Sequence, residues 1–232
     1  MITLLTYPKA FGEFSASPFC TKAGYLLQMS GFEWQREDTL DPRKFKYAKL
    51  PAIRVDGEVI CDSDNIRAFL ESKGADFDAA LNGDDRASAR AFSRMAEEHM
   101  YFHQALDRWG NEDVWPIIQQ EYFSMIPKLV RGFVTGKMRK VFLQGMHVQG
   151  LGRFTPEERL ARLEHDLQAI AGRLENRKFL FGDTPCSADA SIAAILGGMR
   201  ASPAPTPQSK RIIGDAVLMR YVDAMQQTVK LP

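Results

Sequence analysis

The chain has 232 residues, 30 Lys and Arg against 29 Asp and Glu for a formal charge of +1, and 45% hydrophobic residues. That length suits one or two domains with a core burying about 70–75% of the unfolded chain's surface. The balanced charge gives no electrostatic reason to expect nucleic acid or an acidic membrane surface as a partner. Cys20, Cys61 and Cys186 are an odd, widely spaced set, which argues against a disulfide framework and for a reducing, cytoplasmic setting. No apolar run approaches the ~18–20 residues of a membrane span, and residues 1–5 lack the pattern of a signal peptide, so no membrane insertion is expected.

In chain order, Ile2 to Tyr7 is a short apolar run that favours a strand, and Pro8 to Ala16 is a loop. Phe19 to Met29 carries apolar residues at helical spacing and ends at Gly31. Phe32 to Glu37 is a second strand candidate, and Asp38 to Lys49 is polar. Ala52 to Val55 and Glu58 to Cys61 flank Asp56-Gly57, a pair whose tolerance of positive φ marks a tight hairpin. Ser63 to Leu70 reads as a helix with Ile66, Phe69 and Leu70 on one side. Beyond Lys73 the strand signals stop. Residues 76–84 read as a linker, and helices are predicted over Asp85 to Trp109, Val114 to Leu143, Pro156 to Leu174, Ala188 to Met199 and Ile213 to Gln227. The stretches Gly145 to Gly152 and Ala201 to Lys210 read as interhelical loops. A mixed sheet with helices followed by an all-helical region implies two domains of unlike class, about residues 1–75 and 85–232.

Leu50-Pro51 stands where proline normally interrupts a ladder, Ser17-Pro18-Phe19-Cys20 opens the first helix, and Asp62-Ser63 opens the next element after the hairpin. Together these resemble the thioredoxin-like N-terminal domain of the glutathione transferase superfamily. Phe179 to Pro185 followed by Ser187-Ala188-Asp189 resembles the helical domain of the same superfamily, so the likeness spans nearly the whole chain. A finer match, carried by Ser17-Pro18-Phe19-Cys20-x-Lys22, Glu97-Glu98-His99-x-Tyr101, Arg108-Trp109 and Gln149-Gly150-x-Gly152-Arg153, is similar to the branch of metaxin-like and failed-axon-connections-like proteins with their bacterial relatives. One departure is Cys186 in the position where the superfamily usually has Ser or Thr as the helix cap paired with Asp189. Either Ser187 takes over that cap or the helix start is weaker.

The resemblance implies an α/β thioredoxin-like domain joined to an all-α domain, a homodimer, and glutathione as co-substrate without a metal. It implies an enzyme that activates the glutathione thiol for attack on a small hydrophobic electrophile. A protein-binding scaffold of the metaxin kind and a glutathione-dependent lyase or dehalogenase are the alternatives, since fold does not fix the reaction. A free thiol of pKa ~8.5 is only a few per cent ionised near neutrality, and one charge-assisted hydrogen bond of about 1.5–3 kcal/mol lowers it by about 1–2 units. Ser17, at a helix N-terminus, is read either as that donor or as the side-chain cap of its own helix, and Tyr7 at the first strand's end is the rival hydroxyl. Cys20 is read as a buried structural cysteine, since with serine at position 17 no Cys-x-x-Cys disulfide can close.

By resemblance, the main chain of Leu50 before Pro51 pairs with the cysteinyl moiety, Asp62 and Ser63 hold the γ-glutamyl end, and Lys49 meets the glycyl carboxylate. Tyr101, His103, Arg108 and Trp109 on the first long helix of the helical domain are the expected lining of the electrophile pocket. His99, His103 and Asp107 recur at i, i+4, i+8, but a polar stripe of this kind more simply marks solvent or a domain interface than a metal site.

Overall fold

The computed structural model describes residues 1–232. The N-terminal part is built around a four-stranded sheet in the order β2-β1-β3-β4. β1 (Ile2–Thr6) pairs in parallel with β2 (Trp34–Asp38) through the crossover helix α1 (Pro18–Ser30). It pairs antiparallel with β3 (Ala52–Val55), which in turn pairs antiparallel with β4 (Glu58–Cys61). β1 is buried along its whole length, as expected of a strand paired on both sides and covered by a helix. Asp56 and Gly57 both have positive φ, 50° and 85°, as the sequence pair predicts for a two-residue hairpin turn. Helix α2 (Ser63–Ser72) closes this unit with Ile66 and Leu70 fully buried.

Residues 76–82 are not a free tether. Phe77 and Leu81 are buried, and the Asp78 carboxylate accepts from the Ser187 amide and hydroxyl (both 3.0 Å) and from Arg67 (2.8 Å). The first long helix starts at Gly83 and is interrupted: α3 (Gly83–Met95) passes through a π-turn at Ala96–Met100 into α4 (Tyr101–Gly110). The single helix expected over 114–143 is two, α5 (Trp115–Tyr122) and α6 (Lys128–Gln149), because Pro127 lacks the donor and fits only the helix start. The loop expected at Gly145 is instead the last turns of α6, which stops at Gly150 (φ 114°). Gly152 follows because any Cβ there would lie 2.7 Å from the Met146 backbone. α7 (Pro156–Leu174) begins with a complete Thr155/Glu158 capping box.

The next helix, α8 (Ser187–Arg200), is the buried axis of the molecule, with every residue from Ser187 to Met199 inside. Cys186 keeps the cap position, and the Asp189 carboxylate accepts from the amides of Cys186 (2.8 Å) and Leu180 (3.1 Å) and from the Tyr221 hydroxyl (2.8 Å). Ser187 does not take over, since its hydroxyl is committed to Asp78. The stretch after Ala201 holds a further short helix, α9 (Pro207–Ile213), opened by a Thr206/Ser209 box, and α10 (Ala216–Thr228) ends the fold.

The two parts share one apolar core, and a buried ion network crosses between them. Lys22 Nζ of α1 lies 2.8 Å from Asp64 of α2 and 2.6 Å from Glu97 in the π-turn. Ser191 of α8 donates to the same Glu97 oxygen (2.6 Å), and Arg94 binds both Asp64 and Glu97. Burial alone would raise the Asp64 carboxyl, but Lys22 and Arg94 outweigh it and hold it at about 2, against an ordinary 3.8. Removing the lysine strands buried carboxylates, so Lys22→Met is expected to cost about 3–5 kcal/mol in urea unfolding. Because the folded Asp64 value is depressed, its contribution is present above pH 4 and is lost as pH falls toward 2. Lys22→Met is therefore expected to flatten the acid limb of a stability-versus-pH curve.

Candidate functional site

The end of β1, the loop that follows it and the start of α1 are tied by a compact polar web. Thr6 Oγ1 lies 3.1 Å from Ser15 Oγ, Ser15 Oγ donates to the Tyr7 carbonyl (3.0 Å), and the Ser17 amide donates to Ser15 Oγ (3.2 Å). Arg36 from β2 donates to the carbonyls of Phe14 (2.5 Å) and Tyr7 (3.1 Å). The result is a loop held from both sides.

Ser17 caps α1 with its main chain alone. Its carbonyl accepts from the amides of Cys20 and Thr21 (both 3.1 Å), and its hydroxyl makes no capping bond. The half-buried hydroxyl sits at the positive end of a 13-residue helix, beside the Cys20 thiol that it helps to hydrogen-bond. Of the two expectations for Ser17, the side-chain cap is the one the geometry removes. Tyr7 is half-buried beside Leu5, Cys20, Leu50, Ala52 and Cys61. Burial, reinforced by neighbouring Cys20, Tyr101 and Asp41, pushes its phenol well above the ordinary value, so it stays protonated and can donate. Cys20 is fully buried, and burial raises its thiol despite hydrogen bonding from Tyr7, Thr6, Ser17 and Ser15. It packs as a small hydrophobe, as the sequence suggests.

The Leu50-Pro51 bond is cis. The Pro51 carbonyl accepts from the Asp62 amide (3.1 Å), and the pairing of Ala52 with Cys61 sets Asp62-Ser63 beside Pro51. Since Cys20, Leu50, Ala52 and Cys61 form one apolar cluster, the start of α1, the Leu50-Pro51 bend and the start of α2 converge on one edge of the sheet. Asp62 adopts φ 83°, and its exposed carboxylate accepts from the amides of Asp64 (2.9 Å) and Asn65 (3.4 Å). The Ser63 side chain is buried at the N-terminus of α2, and its hydroxyl makes no hydrogen bond within the chain. Lys49 is exposed and forms no ion pair. The starts of two helices thus carry serine hydroxyls that are not used in capping, an arrangement suited to anionic groups.

From the helical side, Tyr101 packs edge-on against Phe19, ring centroids 4.7 Å apart, next to Ser17 in sequence and space. Burial raises its phenol as well. The other three expected pocket residues lie elsewhere. Arg108 is buried and engaged: it donates to the Ala16 carbonyl (2.9 Å), the Tyr122 hydroxyl (2.8 Å) and the Gly198 carbonyl (2.9 Å). It is a strut that fixes the residue before Ser17, with Tyr122 adding a second bond to Ala16 (3.2 Å). Trp109 sits among Trp115, Phe123 and Phe142 in a separate aromatic cluster. His103 points to the opposite side of α4, where it meets His99 (3.3 Å). No local pattern marks Tyr122 or Gly198. Their roles arise from chain segments distant in sequence meeting at Arg108, which lies 92 residues from Ala16 and 90 from Gly198. A side chain at Gly198 would press on the end of the Gln104 side chain.

The site is thus a polar sheet edge on a thioredoxin-like domain, roofed by an all-helical domain. Residues 18–115 match the family model described as the glutathione S-transferase N-terminal domain, and residues 163–225 match the glutathione S-transferase C-terminal domain. An isoprene-epoxide–glutathione S-transferase of Rhodococcus sp. (strain AD45) is 34% identical over 211 residues, covering 84% of this chain and 85% of that one. Failed axon connections of Drosophila melanogaster is 26% identical over 78% of this chain, and metaxin-1 of Mus musculus is 26% identical over 68%. The aligned part spans about half the length of those two proteins, 46% and 52%. Among solved structures, the glutathione transferase GSTFuA2 of Phanerochaete chrysosporium superposes with TM-score 0.68 at 16% identity, covering 100% of this chain and 99% of that one. The chain belongs to the glutathione S-transferase superfamily of enzymes, on the branch whose relatives include metaxin-1 and failed axon connections.

Arg108→Leu deletes three bonds, two of them to buried backbone carbonyls. It is expected to speed amide exchange at Ser17 and Cys20 well before exchange in β3 or β4, as followed by residue-resolved hydrogen exchange.

Proposed function

We propose that this protein binds glutathione along the edge formed by Ser17, Leu50-Pro51 and Asp62-Ser63, and transfers it to a small apolar electrophile held under Tyr101 and Phe19. The observation that carries this reading is the Ser17 hydroxyl at the start of α1, not spent on capping its own helix and braced by Arg108 through Ala16. The hydroxyl donates to the glutathione sulfur and, with the helix terminus, favours its thiolate. The Ser63 hydroxyl and the α2 amides receive the γ-glutamyl carboxylate, exposed Asp62 faces its ammonium, and Lys49 approaches the glycyl end.

For the electrophile, the likeness to the isoprene-epoxide–glutathione S-transferase of Rhodococcus supports a small epoxide. The thiolate attacks a ring carbon, a carbon–sulfur bond forms, and the carbon–oxygen bond breaks to leave an alkoxide that needs a proton. Tyr7 and Tyr101, both held protonated by burial, are suited to donate a hydrogen bond to that oxygen as charge develops. The cytoplasmic setting and the homodimer belong to the same reading. Two serine hydroxyls left out of the capping of neighbouring helix starts favour the enzyme over a pure scaffold.

Calorimetric titration with glutathione is expected to give saturable binding that Ser63→Ala weakens by about tenfold. The bound thiolate, followed by its ultraviolet absorbance, is expected to appear about 1–2 pH units higher in Ser17→Ala. An unchanged titration would move the donor role to Tyr7, and absence of glutathione binding would leave the scaffold reading.

A further inference from the structure

The balanced formal charge of the chain hides an uneven distribution. Helix α6 carries five of the 30 Lys and Arg, at 128, 131, 137, 139 and 140, and none of the 29 Asp and Glu, so the rest of the molecule is net negative. Between Trp115 and Gly150 the only acid is Glu121. The same helix gathers exposed apolar side chains. Leu129 is 100% exposed and Phe133 68%, Val130, Val134 and Val141 are exposed beside them, and Met125 is exposed in the turn that leads in. Single apolar side chains on a surface need no explanation, but a run of them along one helix marks a face that is covered in use.

The inward side of α6 is already occupied. Met146, Phe142 and Leu143 pack with Leu106 and Leu151, and Thr135 accepts from Gln119 of α5 (2.6 Å). The outward side stands clear: a Cβ at Gly132 or Gly136 would meet nothing within 4 Å, so no other segment flanks the helix there. At about 100° per residue, Leu129, Val130, Phe133 and Val141 share an arc of about 120° with Lys137 and Lys140. Arg139 is bound to Glu112, and Arg131 donates to the carbonyls of Ser124 and Ile126, which pins the turn into α6. Lys128, Lys137 and Lys140 are exposed and form no ion pair. Lys137 lies over the Phe133 ring, 4.1 Å from its centroid.

A ridge that mixes lysines with protruding apolar groups and offers no acid restricts what covers it. A second copy seated face to face on α6 would bring like charges together with no carboxylate between them. A bilayer with anionic headgroups meets both demands, hydrocarbon for Leu129 and Phe133 and phosphates for ammonium groups carried on long apolar stems. We propose that the exposed face of α6, with the turn before it, docks on an anionic phospholipid surface. No helix is long and apolar enough to cross a membrane, so the protein lies on that surface. The turn directly follows Tyr122, whose hydroxyl donates to the Ala16 carbonyl (3.2 Å) one residue before Ser17. Docking therefore holds the start of α1 near the lipid, the phase in which small apolar compounds concentrate.

The test is flotation of the full chain with vesicles of phosphatidylcholine alone and of phosphatidylcholine with about 30% phosphatidylserine. Binding is expected with the anionic vesicles at least about tenfold more tightly than with the neutral ones, and to fall at least about tenfold between about 0.05 and 0.5 M NaCl. The pair Leu129→Gln and Phe133→Gln, and the triple Lys128→Gln, Lys137→Gln and Lys140→Gln, are each expected to lower the affinity at least about tenfold. All five side chains are exposed, so the Tm of both variants is expected to match the parent's. Ile213→Gln, at an exposed apolar side chain of α9, is expected to leave binding unchanged. The added emission of Phe133→Trp is expected to shift to the blue on mixing with anionic vesicles. No binding to anionic vesicles, equal binding to both vesicle types, an unshifted Phe133→Trp emission, or affinity unaltered in both sets of variants would overturn the proposal. A dimer in sedimentation that Leu129→Gln with Phe133→Gln takes apart would assign the face to a second copy and overturn it equally. Glutathione binding, measured in parallel, stands or falls independently of these outcomes.

Discussion

The buried cation of Lys22 is the constraint around which the two halves of the molecule are arranged. A lysine ammonium out of water is tolerable only with carboxylates in contact, and here one comes from each side: Asp64 from the thioredoxin-like part and Glu97 from the helical part. That requirement ties α1, α2 and the π-turn to a common point, and Ser191 adds α8 to the same knot. Because α1 carries both Lys22 and Ser17, the relation of the candidate thiol-binding edge to its helical roof is set by charge neutralisation one helical turn away. Packing alone, which is non-directional, would leave that relation softer.

The branch-specific residues that made the sequence recognisable divide accordingly. Lys22 and Glu97 are structural partners, Arg108 braces Ala16, and the Ser17 hydroxyl is not used as a cap. Much of this was readable because it is local. The Asp56-Gly57 hairpin, a helix starting at Ser63 and one starting at Pro156 follow from short-range chemistry and begin where the sequence puts them. The errors arise where local signals and tertiary context part. Gly145 suggested a loop, yet it is held in helix by the burial of Met146 and by close passage of Gly152 over the same turn. Pro207 suggested continued turn, yet at a first helical position proline is favoured. At the site, Cys20, Leu50 and Cys61 share one cluster, which sets the neighbouring Ser17, Pro51, Asp62 and Ser63 on the same edge of the sheet. Helical periodicity could say that Arg108 and His103 share a helix but not what each face would meet.

Helix α4 illustrates the point. One face presents Tyr101 and Arg108 toward the start of α1, and the other presents His99, His103 and Asp107 toward α7 and α9. The π-turn just before it carries Glu97 inward and His99 outward within three residues. Such single-turn widenings recur where a helix must serve two environments. The histidine stripe visible in the sequence thus faces Asp166 of α7 and the cleft between α4, α7 and α9, on the side of α4 away from Ser17.

The burial of all three cysteines has a chemical corollary. Serine stands where a glutaredoxin-like motif would carry its reactive cysteine, and Cys20 behind it is fully buried. All three thiols are kept out of contact with reagents dissolved around the protein, and the burial that shields Cys20 also holds it in the less reactive thiol form.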